Sequence, residues 1–149
     1  MWTAWTRRLL APPALAAALI LGLPTDGHAQ LDKRLGVLQA EDRRAPTTAD
    51  LTTIRTAARS ADPQTARIGL RALGRLERAA LIVDILPGLQ HRLPEVRAEA
   101  ANAVAQAAQG LRDVAGPRPG LTAAQAALTA RLGVEDDAGV RAEIGRAHV

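Results

Sequence analysis

The chain has 149 residues, 48% of them hydrophobic, 23% charged and 1% aromatic, with no Cys, Phe or Tyr. That composition excludes a long disordered tail, a disulfide scaffold and any zinc or thiol site built on cysteine, and a chain dominated by Ala, Leu and Arg argues against a β-sandwich or barrel. The net charge of +4 and pI of about 11.1 come from arginine, since Lys33 is the sole lysine and no Tyr or Cys buffers at high pH, so interspersed acids and bases read as a mixed solvated surface and not as a nucleic-acid interface.

The N-terminus has the layout of a secretory signal. Arg7 and Arg8 precede an apolar stretch from Leu9 to Leu23, Pro24 breaks it, and Gly27-His28-Ala29 places small residues where a signal peptidase reads. Cleavage is predicted between Ala29 and Gln30, giving a 1–29 signal peptide and an exported protein, periplasmic or extracellular. The apolar stretch spans only about 22 Å as a helix, short of a bilayer core of about 30 Å, so no membrane span is expected after cleavage. Loss of Arg7, Arg8 and Asp26 lowers the charge by one.

A short helix is predicted from about Leu31 to Gln39, followed by a linker to residue 47. Beyond it the chain repeats itself. The run Asp62-Pro63-Gln64-Thr65-Ala66-Arg67 to Leu73-Gly74 aligns without a gap on Leu93-Pro94-Glu95-Val96-Arg97-Ala98 to Val104-Ala105, 31 residues on, and Val140-Arg141-Ala142-Glu143 repeats Val96-Arg97-Ala98-Glu99 at an offset of 44. The longer second offset is absorbed by the Gly- and Pro-bearing stretch 110–120, predicted as a surface loop. Asp62 with Pro63 is a helix start, because the carboxylate can take the free N–H groups of the first turn and Pro loses no hydrogen bond at the first helical position. Pro94 repeats this without a capping side chain. Partner helices carry apolar stripes at Leu51, Ile54 and Ala58, then Leu81, Ile82, Ile85, Leu86 and Leu89 with a kink at Pro87, then Leu121, Ala124, Leu128 and Leu132, the third with Thr122 and Gln125 as a capping box.

The reading is therefore all-α, with a 48–149 repeat domain of three antiparallel helix pairs at about 48–77, 79–109 and 121–149. Neither helix of a pair can bury its stripe alone, so the pairs are expected to stack as an α-solenoid. Gly69, Ala100, Ala101 and Ala103 permit close approach, while Leu73 and Val104 supply the larger contacts; Val96 and Val140 recur at one position of the repeat.

The Asp-Pro start, the recurrent Val-Arg-Ala-Glu and pairs of this length resemble HEAT repeats, particularly the phycobilisome-lyase-like class, over about Thr48 to Val149. The resemblance implies that Arg97 and Arg141 belong to a structural ladder between neighbouring repeats; the first copy departs, with Ala66 in that slot and Arg67 beside it. A narrower stretch, Leu35 to Pro46 together with Ala72-Leu73-Gly74-Arg75-Leu76-Glu77, is similar to the N-terminal repeat region of secreted bacterial cyclophilin-type peptidyl-prolyl isomerases. There the repeats form an arm ahead of the isomerase domain, whose site needs an arginine among aromatic residues. His148 falls at the position of Leu73 and Val104, so the last pair is expected to be truncated and the chain to be the front of a longer protein.

No catalytic residue, cofactor or metal ligand set is assigned. His91 stands alone at a turn, and Glu41-Asp42 and Glu135-Asp136-Asp137 abut helix ends, where carboxylates favour the helix dipole and Asp137 can cap. Arg67, Arg71, Arg75 and Arg78 form one stripe and Glu99, Asn102 and Gln106 a second polar face. The expected function is a non-catalytic scaffold for a protein or peptide partner, contacted through Arg67, Arg71, Arg75, Glu99, Asn102 and Gln106. The alternative is the repeat arm of a secreted peptidyl-prolyl isomerase.

Overall fold

A computed structural model describes residues 25–111 and 119–147. Among these the chain is helical, with no strand. The helices are α1 (Thr25–Asp42), α2 (Thr48–Ala58), α3 (Pro63–Arg75), α4 (Ile82–Ile85), α5 (Pro94–Ala108), α6 (Pro119–Leu132) and α7 (Ala138–Ala147). Short 3-10 turns occupy Ala79–Leu81, Leu86–Gln90 and Gln109–Leu111.

Local chemistry explains most boundaries. The Asp62 carboxylate accepts from Thr65 N at 2.8 Å with Pro63 in the first turn, as the sequence indicates, and Leu93 makes no side-chain cap ahead of Pro94. Asp137 caps α7, accepting from Val140 N at 2.9 Å. The helix predicted at Leu31–Gln39 is longer at both ends. It stops where Arg44 and Ala45 adopt positive φ of 60° and 41°, folding their N–H groups back onto Glu41 O and Ala40 O, and Pro46 then prevents resumption.

Three expectations change. The second partner helix is not one kinked helix: α4 ends at Ile85 and the chain runs as a 3-10 turn through Pro87, which has no N–H to continue the ladder. The third partner helix starts at Pro119, so Thr122 and Gln125 lie inside α6 and not at its start. A capping box exists elsewhere, at Thr47 and Asp50 of α2, with Asp in place of the usual Glu or Gln. The predicted 110–120 loop narrows accordingly, with 112–118 outside the described residues.

Alternate helices pack side by side: α1 on α3, α3 on α5, α5 on α7. Helices α2, α4 and α6 lie behind them, α2 between α1 and α3, and α4 against α3, α5 and α6. Repeat positions keep their environment. Thr65, Val96 and Val140 are buried at equivalent places, as are Gly69, Ala100 and Ile144 one turn later, and Leu73 and Val104. The fully buried large side chains are Ile54, Leu70, Leu73, Ile82, Ile85, Leu89, Leu128 and Ile144, each contributing about 1.5–3 kcal/mol through desolvation. Alanines fill the space between. Close approach is enforced at Gly69, where a Cβ would come within 2.3 Å of Ala58 N, and at Gly74, where it would meet Ala103 Cα at 2.7 Å.

Turns are fastened by arginines. Arg34 of α1 donates to Asp62 and Thr65 at the start of α3, at 2.8 and 3.1 Å. Arg44 donates to the carbonyls of Arg75 and Leu76, and Arg78 reciprocates onto those of Arg44 and Ala45. No helix among the described residues is long and apolar enough to cross a membrane.

Candidate functional site

The spacing of Arg67, Arg71 and Arg75 places them on one face of α3, and their neighbours on both sides supply carboxylates. Arg71 reaches Glu99 of α5 at 3.2 Å, Arg67 stands 4.0 Å from the same carboxylate, and Arg75 bonds Glu41 of α1 at 2.8 Å. The Glu99 carboxylate, hydrogen-bonded to Arg71, raises the arginine's pKa above its usual value. Arg78 leaves this row for the turn contact described above. On α5, Asn102 is exposed and its Oδ1 lies 3.5 Å from Gln106 Nε2, while Gln106 Oε1 is buried against Gly74 without a donor. The sequence-predicted residues Arg67, Arg71, Arg75, Glu99, Asn102 and Gln106 thus come together, as a cross-braced polar face and not as a row of unpaired cations.

Beside it lies a feature absent from the sequence reading. Leu31, Leu35 and Leu38 are 59%, 54% and 50% exposed at i, i+4 and i+7 on α1, whereas Val37 and Ala40 take the core side. Leu38 shares a shallow depression of about 350 Å³ with Glu41, Asp42, Arg44 and Arg75, so the Leu38 end of the strip adjoins Arg75. The available signal was the heptad-like spacing of three leucines on a helix whose core face was already supplied by Val37 and Ala40.

The repeat arginines act at turns. Arg97 Nη1 donates to the carbonyls of His91 and Arg92, each at 3.0 Å, and Arg141 Nη1 donates to those of Leu132 and Glu135 at 3.2 and 3.1 Å. Arg97 also forms a two-point pair with Glu135, which takes a further bond from Arg131 Nε at 2.8 Å and from Asp137 N at 3.0 Å. Arg97 above all, then Arg131 and the Asp137 N–H, hold the Glu135 carboxyl at about 2 against the opposing effect of burial. Glu135 therefore does more than favour the α7 dipole: it is the acceptor that joins α5 to the α6–α7 turn. His91 Nδ1 accepts from Leu93 N at 3.1 Å within its own turn.

Among the described residues no group of three or more His, Asp or Glu is placed to hold a metal ion. The face offers charge and amide hydrogen-bonding groups, with exposed leucines at its edge. Comparison with protein-family models, curated proteins and solved structures finds no match.

Proposed function

We propose that the chain is an exported α-solenoid of about three HEAT-like helix pairs that acts, without catalysis of its own, as a scaffold for a protein or peptide partner. The repeat reading is supported by the successive packing of α3, α5 and α7 with equivalent positions buried in each, and by Arg97 and Arg141 serving their turns in the same way. The observation that carries the partner reading is the exposed leucine strip of α1, whose Leu38 end meets Arg75 at the edge of the braced arginine face. A contiguous apolar strip with a polar border is the usual make-up of an interface.

Export is part of the same reading. Helix α1 runs without a break through Ala29–Gln30, so cleavage there leaves α1 beginning at Gln30, whose Oε1 lies 3.3 Å from the Thr65 hydroxyl oxygen.

The test is site-specific photocrosslinking in the producing cell from Leu35 and from Asn102. A defined adduct with a second protein is expected from both positions, lost when Arg71→Glu is added, with the processed N-terminus at Gln30. Absence of adducts from both positions overturns the scaffold reading; an unprocessed, cytoplasmic chain overturns export.

A further inference from the structure

The opposite side of α1 borders a second groove. It has a volume of about 470 Å³ and is lined by Lys33 of α1, by Thr52, Thr53, Thr56 and Ala57 of α2, and by Arg59, Ser60 and Thr65 around the turn into α3. That volume lies within the range of small-molecule pockets, roughly 300–1,000 Å³.

The lining has an uneven chemistry. Thr52 and Thr53 spend their hydroxyls on the carbonyls of Thr48 and Ala49, at 2.9 and 3.0 Å. With those hydroxyls turned onto their own helix, the methyl groups of Thr52 and Thr53 and of Ala57 supply the apolar part of the lining. The charged members are both cations, and no carboxylate lines the groove. Lys33 makes no ion pair among the described residues. Arg59 shares the single Asp84 carboxylate with Arg55, at 3.0 and 2.8 Å, which leaves one positive charge uncompensated. Nearby Asp62 is already taken by Arg34 and Thr65.

We propose that this groove binds an aliphatic monocarboxylate, with the carboxylate held by Lys33 and the excess charge at Arg59, and the hydrocarbon lying along the threonine methyls and Ala57. The complementarity is of charge and of surface: an apolar wall, two cations and no anion. Ser60 Oγ accepts from Asp62 N at 3.2 Å, which leaves its O–H, beside the Thr56 hydroxyl at the same lining, to donate to the carboxylate. The site is separate from the leucine strip and the arginine face of α1, α3 and α5, so it stands whether or not that face binds a partner.

The experiment is calorimetric titration of the full chain with decanoate below its micellar concentration, alongside decanol and decyltrimethylammonium. One-site binding of decanoate is expected, with decanol weaker by about tenfold, the scale of a charge-assisted hydrogen bond, and no binding of the cation. Lys33→Met should weaken decanoate by a similar factor, Lys33→Arg should restore it, and Thr56→Trp should block it by filling the groove. Methyl chemical shifts of Thr52 and Thr53 should move on titration while those of Leu31 and Leu38 stay. Equal affinity for decanol and decanoate, indifference to Lys33→Met, or no saturable binding overturns the proposal.

Discussion

Arg97 of α5 and Glu135 of the turn before α7 meet as a two-point pair, Nε to Oε2 at 2.7 Å and Nη2 to Oε1 at 2.6 Å, with the glutamate side chain 0% and the arginine side chain 10% exposed. The remaining Arg97 nitrogen holds two carbonyls of the His91 turn, so one side chain ties three parts of the chain together. A planar guanidinium suits this task; an ammonium could not present the same fork.

Removing the acceptor should therefore cost far more than a surface pair. Glu135→Ala leaves Arg97 and Arg131 facing a void, and an unfolding free energy lower by about 3–5 kcal/mol is expected, the usual cost of breaking a buried pair. Arg71→Ala removes a side chain that is itself 47% exposed and leaves Glu99 within 4.0 Å of Arg67, so stability should change by less than about 1 kcal/mol. Urea denaturation of the two variants measures both.

Acid should weaken the fold in a defined window. The folded-state carboxyls of Glu135 and Asp62 stand at about 2, against ordinary values of 4.5 and 3.8, the first because of Arg97 and the second because of the Thr65 hydroxyl and Arg34. Both shifts are downward. The unfolded chain consequently binds more protons than the folded one between about pH 5 and 2, so stability is fully present above that window and falls as pH drops through it. Melting temperatures measured from pH 7 to 2 should decline below pH 5, and Glu135→Gln should flatten the decline while lowering the pH 7 value.

The helix contacts make opposite demands on two glycines. Gly69→Ala drives a methyl group into the α2 backbone, within 2.3 Å of Ala58 N, and should destabilise by about 1–3 kcal/mol as overpacking does. Gly145 in α7 has open space around a Cβ, so Gly145→Ala should be neutral or stabilising, by up to about 1 kcal/mol. Thermal melts of the pair test the packing directly.

Glu77 follows the end of α3 with φ of 54°, a left-handed conformation that costs a non-glycine residue about 1–2 kcal/mol. Its side chain is exposed and makes no hydrogen bond among those described. Glu77→Gly should raise stability by about 1 kcal/mol, read as a higher urea midpoint at unchanged slope.

Helices whose ends are written in local chemistry were legible along the chain. Asp62 with Pro63, Pro94 and Asp137 mark their helices because caps and first-turn prolines act within four residues. The burial of Leu73 and Val104 was equally readable, since a 31-residue register and helical periodicity together select the inward side. Thr122 misled, because a capping pattern inside a helix looks the same as one at its start. The splitting of the second partner segment at Pro87 was visible only as a kink.

The remaining features arise from contacts between distant parts of the chain. Whether Arg71 is a solvated cation or is braced to Glu99, whether Glu135 caps a helix or is buried between Arg97 and Arg131, and why Leu31, Leu35 and Leu38 stay exposed all depend on residues far away along the chain. A one-dimensional pattern specifies which face of a helix a side chain occupies, but the charge opposite it and the neighbour that covers it are supplied by other helices, and those are set by how the layers pack.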